Sequence, residues 1–214
     1  MFKRQSFIAP LSILFFLTSS CLVAGQVRRS GSCRTDKKYV SRTESAFQFQ
    51  SSWYVHSRYT FRHDENYRCC KIDYTRGSDN VHTVTNFRIS NKDESVEFNT
   101  GKLTSFPDEP FQVVYYGPRE HSFKYNILTY CDEYFITYFC ENVASKTHRE
   151  YLWVHTKDPK PPKSVIEAYK ADLVGQKIST SELKLVSHED CGKYETNQKS
   201  VAQQQSNSKG KSVC

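Results

Sequence analysis

The sequence lacks the short motifs that common enzyme classes require. It contains only eight glycines and one methionine, and no glycine-rich phosphate loop or Gly-x-Ser-x-Gly nucleophile motif is present. Its seven histidines stand singly at positions 56, 63, 82, 121, 148, 155 and 188, so no pair has metal-ligand spacing. We therefore expect no enzyme activity, no metal site and no cofactor.

Long apolar runs are also lacking. The run from Phe7 to Leu17 follows Lys3 and Arg4 and leads to small residues at Ala24-Gly25, which is typical of a secretory signal peptide. It is too short to span a bilayer, and no later segment approaches the roughly 18 apolar residues that a transmembrane helix needs. The sequence therefore predicts a signal peptide over residues 1–25, no transmembrane segment, and a secreted, extracellular protein.

Dense positive charge and glycosylation signals are missing too. The net charge is +7, with 30 basic and 23 acidic residues mixed along the chain, which favours a solvated surface over a nucleic-acid-binding patch. No Asn-x-Ser/Thr sequence occurs, so N-linked glycans are not expected.

What the sequence does contain is a regular series of extended segments. Residues 47–156 alternate between aromatic or β-branched stretches and turn-forming clusters such as Arg76–Asn80 and Ser90–Asp93. Connections this short make successive strands antiparallel, which excludes parallel folds and leaves an up-and-down barrel or a sandwich. The eight predicted strands are Ser51–Phe61, Cys69–Arg76, Val81–Ile89, Ser95–Leu103, Phe111–Tyr116, Ser122–Tyr130, Phe135–Glu141 and Arg149–Thr156.

One helix follows the strands. Ser164 is a candidate N-cap, and the apolar positions Val165, Ile166, Tyr169 and Leu173 form one helical stripe that Gly175 ends. We expect this stripe to lie against the outside of the β-structure. The segment 192–214 is rich in Gln, Ser, Asn and Lys and is predicted to be a disordered polar tail.

Together these features resemble the lipocalins, and the local sequences are most similar to apolipoprotein D and its insect relatives. Ser51–Trp53 matches the first-strand Gly-x-Trp motif with serine in the glycine position. Thr129–Cys140 matches the second conserved region, although Tyr130 stands where the family has aspartate. Lys157 follows Trp153 where the family usually has arginine. The resemblance implies a lipocalin domain over residues 26–191, with Trp53 and Lys157 closing one end of the barrel.

The resemblance also implies two disulfides, Cys33–Cys140 and Cys69–Cys191. Three more cysteines of the chain after residue 25 remain, and we expect a third bridge between Cys70 and Cys131. Cys214 would then be able to couple two chains into a disulfide-linked dimer.

As a lipocalin, the protein would bind and transport a small hydrophobic molecule such as a fatty acid, sterol, retinoid or bilin. Trp153 and Tyr74 are carried over as ligand-binding residues, and strand alternation favours Tyr138 and His155 as inward-facing additions. One alternative is a secreted interaction or scavenger lipocalin that acts through its outer surface or on a small amine, with a filled or specialised cavity. A lipocalin-fold isomerase is a second alternative and would need a cavity thiol from Cys70 or Cys131.

Overall fold

The structure is a computed structural model that describes residues 27–39, 51–60, 66–76, 81–104, 111–116 and 121–192. The predicted signal peptide, Cys214, and the predicted tail beyond Gly192 lie outside the described residues.

Ten antiparallel strands and one helix form the described part of the chain. Strands β2 to β9 pair in chain order, and β9 pairs back onto β2, so these eight strands close into an up-and-down barrel. Each of the eight predicted strands overlaps one of them, and the sandwich alternative is excluded. The strands are β1 (Val27–Ser30), β2 (Ser52–Tyr59), β3 (Tyr67–Arg76), β4 (Val81–Ser90), β5 (Val96–Thr104), β6 (Phe111–Tyr116), β7 (His121–Tyr130), β8 (Tyr134–Ala144), β9 (Thr147–Thr156) and β10 (Leu183–Leu185).

Two adjacent cysteines at a bulge in β3 point to opposite sides of the barrel wall, as successive residues of a strand do. The pairing of β3 with β4 shifts between residues 68 and 71, and Cys69 has a φ of 53°, which a non-glycine residue rarely adopts outside such irregularities. Cys69 packs with Phe87 and Cys191. Cys70 instead packs with Val55 and Trp153.

The C-terminal strand β10 fills a gap between β2 and β3. Strand β3 pairs with β2 only over residues 52–54 of β2, whereas β10 pairs with residues 57–59. The N–H of Cys69 donates to the carbonyl oxygen of Ser187 at 2.8 Å, so the segment after β10 also contacts β3. The barrel wall is therefore completed by a segment far along the sequence.

The helix α1 spans Lys163–Gly175. Its N-cap is Pro162, with φ −62° and ψ 157° and no side-chain cap. The predicted N-cap at Ser164 is therefore wrong, because the helix begins at Lys163 and Ser164 already lies in its first turn. The helix ends at Gly175 as the sequence predicts.

The apolar stripe of α1 packs on the outside of the barrel. Val165, Tyr169 and Leu173 are buried in a cluster with Ile136 of β8 and Val154 of β9. The Tyr134 hydroxyl donates to Asp172 Oδ2 at 2.7 Å, which adds a polar contact between β8 and the helix. Among the described residues, helix α1 is too short and too polar to be a membrane-spanning helix.

Two disulfides attach outer segments to the barrel, and they are the pairs that the resemblance implies. Cys33–Cys140 and Cys69–Cys191 close loops of 107 and 122 residues. In the chain-entropy model each contributes about 4 to 5 kcal/mol to stability. The expected bridge between Cys70 and Cys131 is wrong, since both residues are thiols, and Cys131 packs against the outer cluster beneath the helix.

Candidate functional site in the barrel interior

Side chains from seven strands meet in one buried cluster, which marks the inside of the barrel. Only the enclosed side of a closed sheet brings so many strands to one place. We name this set the closed-end cluster, because it surrounds the start of β2 and the end of β9. Its members, one from each of β2 to β8, are Trp53, Tyr74, Val84, Leu103, Phe111, Ile127 and Phe135, and none is more than 7% exposed.

Trp53 is the centre of the closed-end cluster. Its ring meets Phe135 edge-to-face at a centroid distance of 4.8 Å and Tyr130 at 6.1 Å. The Nζ of Lys157 lies 3.7 Å from the Trp53 ring centroid and donates to the Ser51 hydroxyl. Ser51 thus gives Lys157 a hydrogen-bond partner above the ring.

His155 extends the closed-end cluster along β9. Its ring stacks on Phe135 with centroids 4.2 Å apart and an interplanar angle of 10°. Its Nε2 lies 3.1 Å from the Thr137 hydroxyl. The side chain is 2% exposed, and burial lowers the pKa of His155 to about 3, so the ring is neutral near pH 7.

Three buried polar atoms inside the barrel have no hydrogen-bond partner among the described residues. They are Nδ1 of His155, Nε1 of Trp53 and Oδ1 of Asn86. A buried polar group without a partner costs about 1 to 3 kcal/mol, so each such atom needs an explanation.

The other half of the interior, which we call the open half, carries charge. Arg88 pairs with Glu97 at 2.8 Å between Nη2 and Oε2. The Arg88 guanidinium also lies 3.8 Å from the Tyr67 ring centroid, and the Tyr67 hydroxyl donates to Glu97 at 2.8 Å. Alternation from the interior residue Val84 through positions 86 and 88 places Arg88 on the inner face.

Arg58 and Cys70 lie beside each other on the inner face. Arg58 is directly opposite Trp153 of β9, and opposed residues of paired strands share a face. Its Nη1 is 3.3 Å from the Cys70 sulfur, and its Nη2 donates to the Tyr67 carbonyl oxygen at 3.3 Å. Arg58 is only 5% exposed, so the barrel wall encloses this guanidinium.

Trp153 and Tyr151 form an aromatic wall in the open half. Their rings are nearly parallel, with centroids 6.4 Å apart and an interplanar angle of 17°, and Phe139 lies 5.9 Å from Tyr151. These three residues are only partly buried. Because alternate residues of β9 share a face with His155, this wall borders the interior space above the closed-end cluster.

The structure brings Trp153, Tyr74 and His155 together on the inner face but not Tyr138. Tyr138 lies in the outer cluster with the helix residue Tyr169, and its hydroxyl donates to Glu150 at 2.8 Å. The expectation that Tyr138 faces inward is therefore corrected. Alternation along β8 was right, but the inward set is the other one, which contains Phe135 and Thr137.

Arg58, Arg88 and Glu97 are interior residues that the sequence analysis missed. The alternation Val84, Asn86, Arg88 carries the signal for Arg88, but a hydrophobic pattern passes over charged positions. Arg58 had no usable signal, because a bulge between Val55 and Ser57 shifts the register of β2 by one residue. Within the described ranges, no cluster of three or more His, Cys, Asp and Glu side chains could hold a metal ion.

Solved structures of known proteins share this architecture. Insecticyanin from the tobacco hornworm Manduca sexta matches at 20% identity with a TM-score of 0.67, over 78% of this chain and 92% of that one. H1 crustacyanin from the lobster Homarus americanus matches at 14% identity and 0.60, over 76% and 91%. The cockroach allergen Per a 4 matches at 18% identity and 0.60, over 76% and 99%.

These neighbours define the class of fold. All three are lipocalins, and the chain therefore has the lipocalin fold, an eight-stranded barrel with a C-terminal helix on its outside. No protein-family model matches the chain, and no curated protein sequence does.

Proposed function

We propose that this protein is a secreted lipocalin that binds and transports a small hydrophobic ligand in its barrel, without enzyme activity. The observation that carries the proposal is the partly exposed aromatic wall of Tyr151 and Trp153 above a filled closed end. A cup that is sealed at one end and lined with flat apolar rings is suited to one small apolar guest.

The ligand-binding residues in this proposal are Trp153, Tyr74 and His155. Burial of apolar ligand surface would drive binding by roughly 25 cal/mol per Å². Fatty acids, sterols, retinoids and bilins are the ligand classes that the resemblance to lipocalins suggests.

The finer assignment to the apolipoprotein D-like group rests on the pairing of Cys33 with Cys140 and of Cys69 with Cys191. Secretion rests on the predicted signal peptide and agrees with these two bridges, which an oxidising compartment favours. A dimer through Cys214 belongs to the same proposal, and non-reducing electrophoresis of wild type and Cys214→Ser tests it.

Native mass spectrometry of the secreted protein, followed by denaturing extraction, tests the carrier function. A stoichiometric lipid, sterol or pigment would establish it. Fluorescence titration with retinoids and fatty acids complements this, because Trp53 and Trp153 are the two tryptophans of the chain. We expect quenching in Trp53→Phe, which keeps Trp153 in the open half as the reporter of binding.

An empty protein that no ligand of the panel quenches would contradict the carrier function. It would favour the second candidate, an interaction or scavenger lipocalin that works through its outer surface. The complete burial of the closed-end cluster supports this candidate, because side chains already fill half of the barrel.

A further inference from the structure

The two rings that carry these buried nitrogens at the closed end both pack against the Phe135 ring. Trp53 contacts the Phe135 ring by its edge at 4.8 Å and His155 stacks on it at 4.2 Å. Trp53 is 0% and His155 2% exposed, and neither Nε1 nor Nδ1 has a hydrogen-bond partner among the described residues. The described residues therefore leave hydrogen-bonding capacity unsatisfied at the inner end of the barrel.

The chemistry of these nitrogens restricts what can satisfy them. Trp53 Nε1–H can only donate, so its partner must accept. His155 Nδ1 accepts when the ring donates from Nε2 to Thr137, and donates when the Thr137 hydroxyl donates to Nε2. A hydroxyl group both donates and accepts, so it fits Trp53 and either tautomer of His155.

A charged group does not fit this place. The imidazole is neutral because burial lowers its pKa to about 3, and an ion brought into such an apolar cluster loses its hydration without gaining a counter-charge from His155. The Lys157 ammonium over the Trp53 ring is solvent-exposed and already donates to Ser51.

We propose that His155, with Trp53, recognises an uncharged hydroxyl group on an otherwise apolar ligand at the inner end of the barrel. This inference rests on the carrier function proposed above and names the chemistry of its ligand. A guest that binds there contacts the His155 ring, so its arrival changes the environment of that ring.

The first test compares matched probes on the wild-type full-length protein. The probes are 2-naphthol, 2-methylnaphthalene and 2-naphthoate, which share a skeleton and differ in one group. We expect 2-naphthol to bind about fivefold more tightly than 2-methylnaphthalene, the value of one net hydrogen bond, and 2-naphthoate to bind most weakly. Equal affinities for the naphthol and the methyl compound would overturn the proposal while leaving the carrier function intact.

The second test uses a pair of variants at one position. His155→Gln can keep the bond to Thr137 but places no polar atom at the Nδ1 position, whereas His155→Asn places its amide there. We expect the ratio of the affinity for 2-naphthol to the affinity for 2-methylnaphthalene to fall to about one in His155→Gln. In His155→Asn this ratio should stay close to the wild-type value. An unchanged preference in both variants would overturn the assignment to His155.

A third measurement needs no variant. In ¹⁵N spectra of the wild-type imidazole, 2-naphthol should shift the His155 Nδ1 resonance and 2-methylnaphthalene should not, and a resonance that 2-naphthol leaves unmoved would contradict the proposal. If none of the three probes and no member of the retinoid and fatty-acid panel binds, the carrier function fails and this inference fails with it.

Discussion

The two halves of the barrel interior are built from different chemistry. The closed-end cluster is apolar and packed, with Trp53 and Phe135 fully buried. The open half carries the Arg88–Glu97 ion pair, the Arg58 guanidinium beside Cys70, and an aromatic wall that is only partly buried. Strands β2 and β4 therefore serve both halves, with Trp53 and Val84 toward the closed end and Arg58 and Arg88 toward the open half.

This difference separates stability from binding. Packed apolar side chains stabilise the fold through burial and close contact, and substitutions there leave cavities. Partly exposed rings contribute less to folding and retain surface for a guest. We therefore expect substitutions in the closed half to cause the larger losses in the free energy of unfolding and substitutions in the open half to act mainly on ligand affinity.

Trp53→Ala should produce the largest effect. Removal of a fully buried tryptophan is expected to lower the free energy of unfolding by about 3 to 5 kcal/mol, measured by urea denaturation. Trp153→Ala is the matched control in the open half, where partial exposure limits the loss to about 1 to 2 kcal/mol. Equal losses would show that the two halves are packed alike.

Low pH should lower the free energy of unfolding through protonation of His155. Its folded pKa of about 3 lies below the ordinary value of 6.5, so the unfolded chain binds the proton first as the pH falls. The stabilisation is therefore complete above pH 6.5 and is lost toward pH 3, with a slope of up to about 1.4 kcal/mol per pH unit from this group. Unfolding free energies between pH 7 and pH 4 should show a smaller slope in His155→Asn than in wild type. An identical slope would contradict burial of the neutral ring.

Thr137→Val tests the hydrogen bond that orients His155. The substitution keeps the shape but removes the hydroxyl 3.1 Å from Nε2, which should cost about 1 to 2 kcal/mol in urea denaturation. Thr100→Val, at an exposed position of β5, should change stability by less than about 0.5 kcal/mol. Similar costs at both positions would indicate that the bond contributes nothing specific.

The smallest effect is expected at Lys157. Lys157→Met removes the cation above Trp53 and should cost about 0.5 to 1 kcal/mol, followed by Trp53 fluorescence in a Trp153→Phe background. Lys157→Arg should match or exceed wild type, because the planar guanidinium stacks on the indole ring. If Lys157→Met were as stable as wild type, the cation–π contact would contribute nothing measurable to the stability of the closed end.

Much of the fold could be predicted because its signals are local. Alternating aromatic and β-branched residues marked all eight barrel strands, and the spacing of Val165, Tyr169 and Leu173 marked the helix. Strands β1 and β10 were missed because four and three residues are too few to show alternation, and both depend on pairing with distant partners.

The interior site was less accessible from sequence. Alternation groups residues into two faces but does not say which face is inside, and this is why Tyr138 was assigned to the wrong side of β8. Bulges in β2 and β3 then change the face within a strand. The bulge in β2 decides the position of Arg58, and it follows from contacts that the local sequence does not contain.

The gap between β2 and β3 makes completion of the barrel wall depend on the order in which the chain is synthesised. Strand β10 and Cys191 follow all eight barrel strands in the sequence. Strand β10 nevertheless fills the gap by pairing with β2, and Cys191 forms the disulfide with Cys69 of β3. A nascent chain that has released β9 therefore still has an unfinished wall. The part of the wall between β2 and β3 can be completed only after about 30 more residues have been synthesised, so a chain that ends at β9 could pair β9 with β2 but would leave residues 57–59 of β2 without their second neighbour.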